Sequence, residues 1–155
     1  MSQPVFTHHW DLAKLSEALG LPAVETKAFF IDGRRGGFLL EGVVRDYLKG
    51  ALANKTEAPY DVLDSAGGRW EVRALTVRGI RFNPSNQQGA GRMYNELTFL
   101  AKVAGVIGYY IADLTHFPDV PFYRVPSSAV LTWHRSGALH SAHMTYLQAK
   151  TLFAG

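Results

Sequence analysis

The chain of 155 residues is long enough for one domain with its own hydrophobic core, and we expect a single domain over residues 1–155. Hydrophobic residues make up 47% and charged residues 19% of the chain, which excludes wholesale disorder, and no apolar run is long enough to span a membrane. The formal net charge of +3 is mildly basic, and the absence of cysteine, with no signal-peptide pattern at the start, favours a cytoplasmic protein.

The first half of the chain predicts two helices followed by a β-hairpin. Residues 10–19 carry leucines at helical spacing, and Gly20 ends this helix. A second helix is predicted at roughly residues 38–52, after a loop rich in glycine and arginine. The alternating segments 60–63 and 70–77 flank a turn with two adjacent glycines, which predicts two antiparallel strands.

The second half predicts a loop, a helix and more strands. Residues 79–91 are polar and rich in glycine, residues 94–103 have a helical pattern, and the apolar run 106–112 is typical of a central strand. The remaining predictions are strands at 122–125 and 130–133 and a closing helix at 140–153. This order of elements predicts an α+β (mixed α/β) domain with a central mixed β-sheet flanked by helices.

The predicted hairpin carries the most informative polar side chains. Glu71 and Arg73 are two residues apart on one strand, so they project from the same face, and Asp61 on the partner strand can reach that face. Two converging carboxylates form a hard-oxygen site that suits Mg²⁺ or Mn²⁺. A neighbouring cation can then contact a phosphate. On spacing alone, the same pattern also fits an exposed hairpin with an ordinary surface Glu–Arg pair.

The residues of this hairpin resemble the PD-(D/E)xK nucleases, most closely the PvuII-like type II restriction endonucleases. The match consists of Asp61, the turn segment 63–67 and the strand segment 71–73. A fainter similarity covers the acidic and glycine-rich residues 30–40, and overall the resemblance extends over roughly residues 29–125. It implies a restriction-endonuclease-like core and a homodimer that embraces double-stranded DNA. It also implies Mg²⁺ as the cofactor, with Mn²⁺ as an alternative metal.

Transferred residue by residue, the resemblance makes Asp61 and Glu71 metal ligands, with the carbonyl of Val72 as a further ligand. Arg73 takes the place of the family's catalytic lysine, so the predicted catalytic residues are Asp61, Glu71 and Arg73. A guanidinium stays protonated and cannot act as a base, although it can bind the scissile phosphate. Glu41 on the second helix is a further candidate acid near the metal, or a plain exposed glutamate.

The arginine at position 73 leaves three interpretations open. Arg73 is a working variant of the catalytic residue, another lysine such as Lys102 reaches the site, or the site is impaired. The first two predict a metal-dependent, sequence-specific endonuclease for double-stranded DNA. The third predicts a DNA-binding protein of a mobile element on the same fold.

The loop after the catalytic strand is the predicted DNA-recognition segment. Five arginines lie between residues 69 and 92, where Glu71 is the only acid. Arginine suits guanine, while asparagine and glutamine suit adenine, because their side chains match those base edges. The predicted DNA-binding residues are Arg34, Arg78, Arg81, Asn83, Ser85, Asn86, Gln87, Gln88 and Arg92. The alternatives are an ordinary polar loop and a nuclease for single-stranded or structured DNA.

Overall fold

A mixed six-stranded β-sheet forms the centre of the chain in the computed structural model, which describes residues 3–54, 58–84, 87–88 and 90–154. β4 and β6 are parallel, and every other pair of neighbours in this sheet is antiparallel. From edge to edge the order is β1 (Phe6–His9), β7 (Asp119–Pro126), β6 (Gly108–Asp113), β4 (Arg69–Leu75), β3 (Val62–Leu63) and β2 (Ala51–Leu52). A separate two-stranded sheet pairs β5 (Ile80–Arg81) with β8 (His143–Met144).

Helices cover both faces of the central sheet. One face carries α1 (Leu12–Leu19), α2 (Ala23–Ile31) and α3 (Gly37–Leu48), and the other carries α4 (Glu96–Ala104), α5 (Ser127–Arg135) and α6 (Tyr146–Ala149), which continues as a π-helical turn, Lys150–Ala154. The predicted α+β class with a mixed sheet flanked by helices is therefore confirmed. Within the described parts of the chain, no helix has the length and apolarity needed to cross a membrane.

The central strand β6 separates two hydrophobic cores. All six of its residues are buried. Tyr109 and Ile111 belong to the core under α4 and α5, whereas Tyr110 and Ala112 belong to the core under α1–α3. Successive side chains of a strand point to opposite faces, so a strand covered on both sides has a continuous apolar sequence. The prediction of a central strand in this run is confirmed.

The turn between β3 and β4 is held by the carboxylate of Asp64. Oδ1 accepts the N–H groups of Ala66 and Gly68 at 2.9 and 2.7 Å, and Oδ2 accepts the indole N–H of Trp70 at 2.8 Å. The Trp70 bond and the two backbone donors hold the pKa of Asp64 below its usual value. Gly67 has a φ of 86°, a conformation that glycine adopts without strain. This turn fixes the hairpin that carries Asp61 and Glu71.

Two predicted elements near the C-terminus are wrong. The sequence predicts a strand at residues 130–133, but they lie in α5, where Val130 is buried and Leu131 and Trp133 pack against the same core. Residues 140–153 were expected as one helix. Instead β8 pairs with β5, and α6 begins only after Thr145, whose side chain and that of Gln148 form a capping box.

The N-terminal half departs from the prediction in smaller ways. The second helix ends at Leu48 rather than 52, because Lys49 adopts a left-handed conformation and Ala51–Leu52 pairs with β3. Helix α2 and strand β1 have no counterpart among the predicted elements. Strand β5 lies within the predicted loop 79–91.

Gly108→Ala is expected to lower the free energy of unfolding by about 2–3 kcal/mol, because a Cβ at this position overpacks the contact of β6 with β7 and Trp70. That atom would lie 2.6 Å from the carbonyl oxygen of Val125 and 2.8 Å from the ring of Trp70. Urea unfolding measures the change. Gly105→Ala is the control, because its Cβ meets nothing closer than the carbonyl of Lys102 at 3.4 Å. Equal stability of the two variants would show that the space around Gly108 can accommodate a Cβ, which would contradict this prediction.

Candidate active site at the hairpin

A cleft of about 910 Å³ runs beside β4, between the loop that precedes α3 and the segment that follows β4. Its lining includes most of the predicted site residues: Asp61, Val72, Arg73, Arg34, Arg78, Arg81, Asn83, Gln87, Gln88 and Arg92. Glu71 does not line the cleft, because it is 1% exposed. Ser85 and Asn86, also predicted to bind DNA, lie outside the described residues.

Asp61 immediately precedes β3 and lies beside the middle of β4. Its N–H donates to the carbonyl of Trp70 at 2.9 Å, which extends the hairpin by one residue. Its carboxylate is half-buried in the cleft, where Oδ2 accepts the N–H of Val72 at 2.9 Å. The structure therefore brings Asp61 to the strand segment that carries Glu71 and Arg73.

The carbonyl of Val72 opens toward the same side as the Asp61 carboxylate. The N–H of Ile107 donates to the carbonyl of Arg69 at 2.9 Å, which shows that the backbone N–H and C=O groups of the odd-numbered residues of β4 face β6. The N–H and C=O groups of Val72 consequently face the opposite side of the strand, as the bond from its N–H to Asp61 shows. Because the N–H and C=O of one strand residue point the same way, this carbonyl lies on the cleft side of the strand.

Glu71 is held by two cations from different elements. Its Oε2 lies 2.8 Å from Nη2 of Arg73, two residues away on the same strand, and its Oε1 contacts Nζ of Lys102 on α4. The side chains of both cations are 17% exposed. Lys102 also donates to the carbonyl of Pro59 at 2.7 Å, which ties α4 to the start of the hairpin. Lys102 therefore contacts Glu71, as the interpretation in which another lysine reaches the site requires, although Lys102 is not among the residues that line the cleft.

The carboxyl of Glu71 has a pKa above its ordinary value. Burial is the main cause, and the negative charge of Asp61 adds to it, while Arg73 and Lys102 oppose the shift. The neighbouring phenol of Tyr109 is fully buried, and burial raises its pKa far above the usual range. Tyr109 therefore remains a neutral hydroxyl group beside a charged cluster.

Buried polar atoms without hydrogen-bond partners are concentrated around this site. Among the described residues they include Nε of Arg73, Oδ1 of Asn83 and the hydroxyls of Tyr94 and Tyr109. Folded proteins rarely leave such groups unpaired, so a concentration of them beside a cleft indicates a place for water or a ligand. Arg73, Asn83 and Tyr94 line the cleft itself. The sequence gives no signal for Tyr109, which lies in the apolar run of the central strand.

The amides of the predicted recognition loop bind the loop itself. Nδ2 of Asn83 donates to the carbonyl of Gln87 at 3.2 Å, and Nε2 of Gln88 donates to the carbonyl of Asn83 at 2.8 Å. The side-chain oxygen of Gln87 accepts the N–H of Asn95 at 3.1 Å, next to the start of α4. Base contacts by these amides would require the exchange of these bonds. The carbonyl of Asn83 also accepts from Nη2 of Arg73 at 3.4 Å, so the loop is connected to β4.

The other arginines give the cleft its positive charge. Four arginines besides Arg73 line it, together with the acids Asp32, Glu41 and Asp61. Asp32 holds two of them, because its carboxylate accepts from Nε and Nη2 of Arg34 at 3.1 and 3.0 Å, and its carbonyl accepts from Arg78 at 3.0 Å. Arg81 and Arg92 are exposed.

The donor set fits a divalent cation in its chemistry but is partly occupied. Asp61, Glu71 and the Val72 carbonyl are all hard oxygen ligands, which Mg²⁺ prefers. Among the described residues, no group of three histidine, aspartate or glutamate side chains is arranged to hold a metal. Both oxygens of Glu71 contact cationic side chains. Asp61 therefore offers the accessible carboxylate, and Glu71 becomes available when a cation moves.

No protein-family model matches the chain, and a search of curated proteins found no match. The resemblance to the PD-(D/E)xK nucleases, including the restriction-endonuclease-like core, therefore stays a prediction that rests on the motif residues.

Proposed function

We propose that the chain is a Mg²⁺-dependent endonuclease that hydrolyses phosphodiester bonds of double-stranded DNA at a specific sequence. The observation that carries the proposal is the cleft in which the Asp61 carboxylate and the Arg73 guanidinium lie together, lined by further arginines. An acid that can hold a metal and a cation that can bind a phosphate are the parts that this hydrolysis needs.

In this proposal, the residues of the candidate site have different roles in cleavage. A divalent cation held by Asp61, Glu71 and the Val72 carbonyl would neutralise phosphate charge and lower the pKa of a bound water. Arg73, whose Nε has no hydrogen-bond partner among the described residues, would bind the scissile phosphate. Because the guanidinium cannot accept a proton, Arg73 stabilises charge and does not activate the water.

The arginines along the cleft would hold the DNA backbone. Arg34, Arg78, Arg81 and Arg92 are exposed at the cleft, and each phosphate that a protein cation neutralises releases counterions. Binding should therefore weaken steeply as salt concentration rises. A twofold-symmetric homodimer would place one cleft on each DNA strand and favour a palindromic site.

The second candidate is a DNA-binding protein with an attenuated nuclease site. The observation that favours it is the pairing of Glu71 with both Arg73 and Lys102, which leaves Asp61 as the accessible carboxylate of the predicted pair. In this case the cleft binds DNA through its arginines and cuts little.

Incubation of the protein with supercoiled plasmid tests both candidates. With Mg²⁺ or Mn²⁺ we expect nicked, linear or discretely fragmented DNA, and with EDTA we expect none. Runoff sequencing of the products then identifies the cleavage site, and a gel-shift assay in EDTA measures binding. Binding without cleavage in any metal would favour the second candidate, and neither binding nor cleavage would contradict both.

A further inference from the structure

Glu71 is the best-enclosed acid of the site, and its two oxygens contact cations that are attached independently. Arg73 reaches it along the strand, while Lys102 reaches it from α4. Lys102 also has a second acceptor in the carbonyl of Pro59 at 2.7 Å. The ammonium can therefore leave the carboxylate and keep one of its bonds.

We propose that Lys102 is a positioning residue whose ammonium competes with the divalent cation for Glu71, so that metal binding at the hairpin requires Lys102 to move off this carboxylate. The inference rests on the proposed function in one respect, which is that Asp61 and Glu71 are ligands of a divalent cation.

The competition follows from charge and burial. The carboxylate oxygens of Glu71 are the only negative charge shared by Arg73 and Lys102 at their contacts in the described structure. A divalent cation placed on the same oxygens would stand beside two positive groups in a poorly solvated setting, where repulsion is weakly screened. Among the described residues, the further contact of Arg73 is with the Asn83 carbonyl at 3.4 Å, which is longer than the Lys102–Pro59 bond. Lys102 is therefore the cation better able to change partners.

Mn²⁺ titration, followed by the loss of the free-ion electron paramagnetic resonance signal, tests the competition without an activity measurement. Lys102→Met removes the ammonium and keeps a flexible apolar stem, and we expect its Kd for Mn²⁺ to be lower than that of the wild type by about tenfold or more. Lys27→Met on α2 loses the same charge from an exposed position, and its Kd should stay within about twofold of wild type. Glu71→Gln should lose the tight site in both the wild-type and the Lys102→Met backgrounds.

A second measurement uses the unaltered protein and does not depend on how a variant folds. Acylation of lysine amines, mapped by mass spectrometry, reports the accessibility of each ammonium. Lys102 is largely shielded at 17% exposure, and we expect Mn²⁺ to increase its labelling at least about threefold because the ion releases it from Glu71. Labelling of Lys27 should not change.

The outcomes separate this inference from the proposed function. Tighter Mn²⁺ binding by Lys102→Met, or increased Lys102 labelling in the wild type, supports the inference. Wild-type binding that depends on Glu71, with no gain in Lys102→Met and no change in labelling, overturns the inference and leaves the proposed function intact. Binding that does not depend on Glu71 also overturns it. If neither the wild type nor Lys102→Met binds Mn²⁺, both the inference and the metal dependence of the proposed function are wrong.

Discussion

Asp61→Asn is expected to reduce plasmid cleavage by about a thousandfold, while DNA binding in EDTA stays within about threefold of wild type. The substitution removes the accessible carboxylate of the predicted Asp61–Glu71 pair. In the wild type, Oδ2 of Asp61 accepts the N–H of Val72 at 2.9 Å. The amide oxygen of the introduced asparagine can accept the same N–H, so the hairpin should keep its shape. The arginines proposed to hold the DNA backbone are unchanged, and for this reason binding should persist.

Initial rates of nicking, measured with and without Mg²⁺, check this expectation, and circular dichroism confirms folding. Asp46→Asn on α3 is the matched control, since its carboxylate is 72% exposed and pairs with Arg45 away from the cleft. This control should cut as the wild type does. An Asp61→Asn protein that cuts at the wild-type rate would remove Asp61 from the metal site, and the proposed arrangement would be wrong.

The hairpin and the central strand could be predicted because their signals are local. The turn at Asp64 is specified by adjacent glycines, and the segment that follows it alternates polar and apolar residues from Arg69 to Ala74, although the burial of β4 does not alternate. The apolar run of β6 needs no distant information, because any strand buried on both faces reads this way. These two elements are also the ones that determine where Asp61 and Glu71 lie.

The C-terminal third could not be predicted for the opposite reason. A short apolar run such as that around Val130 fits a strand or a helix, and its neighbours decide between them. Here the hydroxyl of Ser127 donates to the carbonyl of Val106 at 2.6 Å, which fixes the first residue of α5 against the sheet. The pairing of β5 with β8 joins segments far apart in sequence, and neither segment is long enough to show a period.

The sequence indicates which residues lie near one another at the candidate site, and it does not indicate their contacts. Spacing places Glu71 and Arg73 on one face of a strand, but it does not show that Lys102 arrives from α4. Composition indicates a loop rich in amides, yet the bonds that Asn83 and Gln88 make within the loop depend on its three-dimensional path. Hydrogen-bond partners of long polar side chains are set by tertiary structure, so sequence spacing cannot supply them.

Arg73→Ala is expected to reduce cleavage by about a hundredfold or more, because the variant loses the cation that stabilises phosphate charge. Nη2 of Arg73 also lies 2.8 Å from Oε2 of Glu71, so the variant changes the affinity of the proposed metal ligand as well as the proposed phosphate contact. Nicking rates at saturating Mg²⁺ separate the two effects, because at saturation a change in metal affinity no longer alters the rate, whereas a missing phosphate contact still does. Arg135→Ala on α5, an exposed arginine outside the cleft lining, is the control and should retain wild-type rates.

Arg73→Lys is the sharper variant, and we expect it to cut at least as fast as the wild type. A lysine at this position would match the PD-(D/E)xK motif that the hairpin resembles, and its amine can lose a proton where a guanidinium cannot. Its cleavage rate should therefore rise more steeply with pH than the wild-type rate, which has no titrating group at residue 73. A folded but inactive Arg73→Lys protein would show that the bidentate geometry of the guanidinium is required. If neither Arg73→Ala nor Arg73→Lys changes cleavage, the cation that contacts the phosphate is another residue, either one of the other arginines that line the cleft or Lys102, which contacts Glu71.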